Sequence, residues 1–548
     1  MNFEVQDVDA MGRIGKININ GKEMITPNMF PVIHPYKNLL PMVDLKEIGA
    51  QAVFTNAYII YQNRSKREIV LNKGIHEFLN FDGLIATDSG AFQQYMYNNK
   101  EMVINPADIE AFQEKIDSDF PVILDLPVQL DDTYEQAMFK VNETLKRAKD
   151  NIERRRNTNC NWFGPVHGGK YKDLLKKSAV EMSHLDFAVY AIGGLVKAFL
   201  DYRFELTLEV LLTVKKNIIP NKPIHMFGLG LPQFFSLAIA CGCDLMDSAA
   251  YILYAKKNRY FTLSTGTKNI EELTEFPCHC PICMKYTPNE LKAFEDDLKT
   301  QLLAKHNLYL SFSELKTVRQ AIREGNLWEL VDQRIRNHPN LVKAFNIVKK
   351  NLDFFEFHEK LYKKCGRLFV SSESLSRPLI HRYIKKLSTN YRPPLDAQYL
   401  IILPELDIKG KFSPSINNWL GEINRTEIIP RKSIHIVFLS NFFGIIPLEL
   451  LDTFPMGQHE AISSTEMKEN LYKNCLLKAE NYIRSYHMSY KKFGILIPET
   501  FFNQYEENIN FYKDHPIYGI KNLLKTKYNL NFIISNEIKD MLLFFKAD

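Results

Sequence analysis

Between about residues 50 and 260, short apolar runs alternate with longer amphipathic ones. That alternation limits what the chain can fold into more than any other feature. AVFTNAYII (52–60), GLIATDSG (83–90), PVILDLP (121–127), NWFGPVHGG (161–169), FAVYAIGG (187–194), PIHMFGLG (223–230) and CDLMDSA (243–249) read as buried strands. Segments 106–117, 133–157, 171–183, 198–216 and 232–241 between them read as helices. Strand-helix alternation on this scale predicts an α/β fold with a parallel sheet. A (β/α)8 TIM barrel fits the length, whereas a doubly wound sheet would be expected to carry a glycine fingerprint that is absent here. Several of these strands end in polar or glycine residues: Asp88-Ser89-Gly90, Asp125, His167-Gly168-Gly169, Gly193-Gly194, Gly228 and Asp247. One such Asp alone reads best as a helix cap. Six strand ends of the same kind predict a site gathered at the carboxyl ends of the strands.

The hydrophobic share of 45% and charged share of 24% describe a soluble globular chain. No apolar run approaches the ~20 residues a membrane helix needs, so no membrane partner is expected. No cationic-then-apolar leader precedes the first domain, which predicts a cytoplasmic protein with reduced thiols. A net charge of +5 permits a polyanionic partner without requiring one. KRAKDNIERRR (146–156) and YAKKNRY (254–260) are either phosphate contacts or, for the first, a solvated helix face. Residues 346–394 read as helical and basic, and YRPPLDAQ (391–398) marks a boundary because two prolines halt a helix. Beyond it YLIILPEL, SIHIVFLS, KFGILIP and NFIIS read as strands of a second, smaller α/β domain.

FPCHCPICMKYTP (276–288) places three of the chain's eight cysteines within six positions. Reduced thiolates at this spacing predict zinc, which takes four ligands. His306, in LLAKHNL, is the expected fourth. His279 is the rival, although adjacent residues seldom point at one metal. Cys278, Cys280, Cys283 and His306 would form a closed structural site, with no position left for a reactive water.

Asp88 and Asp247 are suited to glycosyl exchange, in which one carboxylate attacks a sugar carbon and the other handles protons. Sequence alone leaves both open for the attack, because two close carboxylates titrate as a pair. Asp125 joins them or accepts hydrogen bonds from the N–H donors of a purine-like base. Phe92 offers a ring on which a base could stack. Gly193 and Gly194 would let backbone approach it closely.

The motifs TDSGAFQ, VILDLP, GPVHGG, AIGGLV, HMFGLGLP, CDLMDSAAYILYAKKNRYFT and FPCHCPICMKYTPNEL stand in the order found in tRNA-guanine transglycosylases. Over residues 1 to about 310 the chain resembles the archaeal, archaeosine-forming branch. The resemblance implies a barrel with a zinc subdomain that exchanges a D-arm guanine at position fifteen of tRNA for 7-cyano-7-deazaguanine, leaving the RNA backbone intact. By the same motifs Asp247 would be the nucleophile and Asp88 the acid/base, with Ser89 beside it. Asp125 would read the base edge, Phe92 would stack on the base, and His167, Gly193, Gly194 and Leu195 would line its pocket. One structural zinc ion per chain and a homodimer are also implied. Two residues depart from the pattern: His167 stands where the family commonly has glutamine, and Ala91 where it has glycine or serine.

Residues 346–548 resemble the back half of archaeosine synthase through RPLIHRY, YRPPLDAQYLIILPE and SNFFGIIPLELLDTFP, but Glu405 stands where that paralogue has a cysteine. The expected organisation is therefore a catalytic barrel at 1–265, a zinc subdomain at 266–345, a helical connection at 346–395 and a synthase-like α/β domain at 396–548. An archaeosine-synthase-like enzyme and a non-catalytic tRNA-binding paralogue are the competing readings.

Overall fold

The computed structural model describes residues 1–91, 105–264, 266–405, 412–461, 468–497 and 516–547. The chain divides into two compact units, Met1–Lys350 and Asn351–Asp548.

The first unit opens with an antiparallel sheet of β1 (Asn2–Asp9), β2 (Gly12–Ile19) and β3 (Lys22–Ile25). Eight strands follow: β4 (Asn28–Pro31), β5 (Ala52–Asn56), β6 (Leu84–Asp88), β7 (Phe120–Pro121), β8 (Phe163–Val166), β9 (Val189–Ile192), β10 (Ile224–Met226) and β11 (Leu245–Ser248). They form two parallel sheets, ordered β4-β11-β10-β9-β8 and β5-β6-β7. Single parallel bridges, Val32 to Phe54 and Val122 to Phe163, run between the edges of the two sheets.

Side chains two residues apart share one face of a strand. Ala52 and Phe54, Leu84 and Ala86, and Val189 and Ala191 accordingly meet Phe30, Phe120, Val122, Phe163 and Leu245 in one core common to both sheets. Ile17, Ile19 and Met24 of β2 and β3 join that core. The intervening positions Val53, Ile85 and Tyr190 are also buried. Burial on both faces explains why these strands read as continuous apolar runs rather than alternating ones.

Three sequence expectations change at their edges. The strand read into AVFTNAYII stops at Asn56, whose side-chain oxygen accepts from the Ile59 N–H and starts the helix Ala57–Gln62. The single helix expected at 198–216 is two, Val196–Leu200 and Phe204–Asn217. The chain turns between them at Tyr202, with φ of 52°. In PVILDLP only the first residue is in strand pairing of length, with β7 covering Phe120–Pro121. The helix Tyr134–Arg154 begins at a Thr133/Gln136 capping box. Three of its basic residues and the residue that follows it pair within the unit: Arg147 with Glu143, Lys149 with Glu181, Arg154 with Glu110 and Arg155 with Asp186. This favours the solvated-face reading of that segment.

After β11 come the hairpin of β12 (Arg259–Thr262) and β13 (Gly266–Asn269), the short helices Pro281–Lys285 and Pro288–Ala293, and the 29-residue helix Asp296–Glu324.

The second unit holds a five-stranded sheet ordered β17-β16-β15-β19-β20. Its strands are β15 (Tyr399–Pro404), β16 (Ile434–Ser440), β17 (Gly444–Pro447), β19 (Lys492–Leu496) and β20 (Phe532–Ser535). All pairings are parallel except β16 with β17. A separate parallel pair joins β14 (Arg367–Phe369) to β18 (His459–Ala461), so the segment expected to be wholly helical contains a strand. Among the described residues no helix is long and apolar enough to cross a membrane.

Candidate active site and metal centre

The polar residues flagged from sequence lie at the carboxyl ends of the parallel strands. Asp88 closes β6, Asp125 follows β7, His167 follows β8, Gly193 and Gly194 follow β9, and Asp247 lies near the end of β11. Parallel strands point all these ends the same way, so residues some 160 positions apart in sequence collect on one face.

Asp88 is held on both oxygens. Asn56, beside it in the β5–β6 register, donates from Nδ2 to Oδ2 at 2.8 Å, and the Gly90 N–H donates to Oδ1 at 3.3 Å. Because the oxygen of Asn56 caps a helix, its amide nitrogen is fixed toward Asp88. Burial, followed by the charge of Asp125 and more weakly that of Asp247, pushes the Asp88 carboxyl up to about 7; the hydrogen bonds oppose this. Three carboxylates therefore share one electrostatic environment. One of them gains or loses its proton near neutrality, as proton transfer in catalysis requires.

Among the described residues, Asp247 is anchored on one side only. Its Oδ1 accepts from His225 Nε2–H at 2.8 Å and from the Gly228 N–H at 3.1 Å. Asp125 is buried and hydrogen-bonded through Oδ2 to His167 Nε2. The backbone around it is tied down by Arg147, which donates to the Leu124 carbonyl at 3.0 Å, and by Thr144, which accepts from the Leu126 N–H at 3.0 Å.

Gly193 and Gly194 are needed for packing. A Cβ on Gly193 would lie 2.4 Å from the His167 ring, and one on Gly194, at φ of 77°, would lie 2.1 Å from the Val128 carbonyl oxygen. Ser89 is buried and donates to the Ile123 carbonyl at 3.0 Å, so it ties the Asp88 loop to the segment between β7 and Asp125. Leu195 is also buried. Phe92 lies outside the described residues. Sequence reading missed Asn56 and His225. Both occur within quoted motifs, and the available signal was a polar residue inside an otherwise apolar strand.

The cysteine motif and the long helix Asp296–Glu324 meet at a second centre. One ligand atom each from Cys278, Cys280, Cys283 and His306 lies within 4.8 Å of all the others. His306 Nδ1 is 3.5 Å from Cys280 Sγ and 3.4 Å from Cys283 Sγ. Its Nε2–H donates to the Phe261 carbonyl at 3.0 Å, which leaves the Nδ1 lone pair facing the sulfurs. Tyr260 stacks on the imidazole at 3.7 Å. Hydrogen bonds from Cys280 and Cys283 hold the Cys278 thiol below its ordinary range. His279 is exposed and outside the group. The donor set and spacing fit a tetrahedral thiophilic metal.

Residues 7–340 match the family model described as queuine tRNA-ribosyltransferase. A protein of Methanococcus maripaludis named tRNA-guanine(15) transglycosylase is 41% identical over 84% of this chain and 69% of its own length. The Methanocaldococcus jannaschii protein of the same name is 36% identical over 98% of this chain and 81% of its own length. The Pyrococcus furiosus one is 36% identical over 87% and 74% respectively.

Proposed function

This chain belongs to the queuine tRNA-ribosyltransferase family, and from that premise we propose that it is a tRNA-guanine(15) transglycosylase acting in archaeosine formation. The observation that carries the reading is the convergence of Asp88, Asp125 and Asp247 at the carboxyl ends of neighbouring parallel strands, close enough that burial and its two acidic neighbours raise the Asp88 carboxyl to about 7.

In the proposed reaction a carboxylate oxygen of Asp247 forms a bond to C1′ of the target guanosine while the C1′–N bond breaks. The bonding pair leaves with guanine, which takes the proton of Asp88. The RNA is then an ester of Asp247. Guanine departs and 7-cyano-7-deazaguanine enters. Ionised Asp88 removes the proton from its ring nitrogen, that nitrogen attacks C1′, and Asp247 is released. Two displacements retain configuration, and no phosphodiester is cut. Asp125 would accept from the base's N–H donors through the oxygen that His167 leaves free.

The same reading takes the two parallel sheets as one closed (β/α)8 barrel, supported by the bridges at Val32–Phe54 and Val122–Phe163 and by the shared core. It takes the Cys3His group as a zinc centre. Bound zinc would act structurally, cross-linking the 278–283 loop to the helix that carries His306, and four protein ligands would leave it no substrate position. Residues 1–265, 266–345, 346–395 and 396–548 would serve as catalytic domain, zinc subdomain, connection and synthase-like domain. Homodimerisation and a cytoplasmic setting complete the proposal.

The test is incorporation of labelled guanine into unmodified tRNA by the purified chain. The unmutated protein should incorporate label and form a denaturation-resistant protein–RNA adduct, and Asp247→Ala should do neither. Absence of exchange by the unmutated protein with correctly transcribed tRNA would overturn the assignment.

A further inference from the structure

We infer that His225 is a positioning residue that determines which oxygen of Asp247 attacks the ribose, an inference that rests on Asp247 being the nucleophile. His225 lies on β10, fully buried in an aromatic cage. Its ring centroid is 4.9 Å from that of Phe227, 5.1 Å from Phe163, 5.8 Å from Phe30 and 6.0 Å from Phe54. Nδ1 is buried and has no hydrogen-bond partner among the described residues. A proton there would find no acceptor, so the ring carries its proton on Nε2. The single polar outlet of the imidazole is that N–H, aimed at Asp247 Oδ1.

The Gly228 N–H reaches the same oxygen. With φ of 75°, and with a Cβ that would fall 2.9 Å from Val196, position 228 requires glycine for this approach. Oδ1 thus receives two donors from two directions, which fixes the plane of the carboxylate. Oδ2 receives none from the described residues and keeps its lone pairs available. In the first displacement Oδ2 bonds to C1′ as the C1′–N bond breaks, and Oδ1 becomes the carbonyl oxygen of the ester. In the second, the C1′–Oδ2 bond breaks and its electron pair returns to the carboxylate, whose charge His225 and Gly228 again stabilise on Oδ1. The same donors therefore orient the nucleophile and assist its departure.

The test compares steady-state exchange of labelled guanine and single-turnover formation of the protein–RNA adduct across four forms of the full chain: unmutated, His225→Met, His225→Gln and Asp247→Ala. Removing a donor from a charged acceptor costs roughly ten- to a hundred-fold. His225→Met should lower kcat about thirty-fold and slow adduct formation in parallel, with KM for guanine within about twofold. The rate inflection set by Asp88 should keep its pH, because the lost contact is to Asp247. His225→Gln retains an N–H donor and should recover to within about fivefold of the unmutated rate. If His225→Met does not fold, His225→Phe takes its place with the same expected loss. The inference is overturned if the apolar variant works within about threefold of the unmutated chain. It is also overturned if the Gln variant, correctly folded, is as impaired as the apolar one, or if the inflection moves. Exchange by Asp247→Ala would instead overturn the assignment of the nucleophile, a separate outcome.

Discussion

Both units bury a histidine on an interior strand of a sheet, and the two histidines are treated differently. In the second unit His435 is satisfied on both ring nitrogens, by Tyr490 Oη at 2.6 Å and Tyr391 Oη at 3.1 Å. In the first unit His225 is caged by phenylalanines, and its one partner among the described residues is an aspartate at the carboxyl end of the next strand. Other polar groups follow the same division. At the strand ends of the second unit, Cys475 donates to the Ser440 carbonyl and Lys478 donates to the Phe442 carbonyl at 2.5 Å. These groups are closed off by backbone. The first unit instead gathers three carboxylates that repel one another and raise the pKa of one of them. Burying like charges together destabilises a fold, so such a cluster is expected where chemistry uses it. The second unit has no comparable cluster of carboxylates among its described residues.

The sharpest way to break this contrast is to remove one carboxylate from each unit. Asp247→Ala should lower base exchange by at least about 10⁴-fold, whereas Glu405→Ala should leave it within about twofold; a large loss from the latter would move chemistry into the second unit. Cysteines give the next largest difference. Cys280→Ala should abolish bound zinc, measured by elemental analysis, and cost several kcal/mol. Cys475→Ala, a buried but unligated thiol, should cost about 1 kcal/mol and leave the metal content unchanged.

The Asp88 carboxyl supplies a pH test. Its pKa is higher folded than unfolded, so the folded state binds the extra proton between about pH 4 and pH 7, and stability contributed by this group is lost as pH rises through that window. Asp88→Asn should remove that loss, a gain of about 2 kcal/mol at pH 8 by denaturant titration, while abolishing the rate inflection near pH 7. The smallest effect belongs to Lys478, whose ammonium is lowered to about 8 by burial. Its stability contribution is present above the unfolded pKa and falls away as pH drops toward 8. Lys478→Met should therefore stabilise the second unit by about 1 kcal/mol at pH 7 without changing exchange. A destabilised variant would show that the Phe442 hydrogen bond outweighs desolvation.

Much of the site was legible because its carriers lie in short contiguous motifs. The Cys-x-Cys-x2-Cys spacing identified three ligands, and glycine- or acid-terminated apolar runs identified Asp88, Asp125 and Asp247. Asn56 and His225 were not legible, because each matters only through a partner on a neighbouring strand. Asn56 faces Asp88 because β5 and β6 align those two residues. His225 reaches Asp247 because β10 sets it opposite Leu245, two positions earlier. Register across parallel strands is a property of the assembled sheet. The helix break at Tyr202 escaped for a related reason, since a left-handed residue inside an amphipathic stretch leaves no mark on its periodicity.

The sequence by itself determined the alternation that makes parallel strands, the soft ligands for a metal, and the acids available for chemistry. It gave Asp247 as a strand-end acid but no partner for Asp244, three residues earlier. Only the tertiary structure supplied one. Asp244 is fully buried at the strand's entrance and tied to Arg13 of β2 through both oxygens, at 2.9 Å and 2.5 Å, while Asp247 faces the other acids at the opposite end. The tertiary structure likewise decided that Asp88 titrates near neutrality. Desolvation and Coulomb repulsion depend on distance and burial, and these are set by how strands far apart in sequence lie side by side.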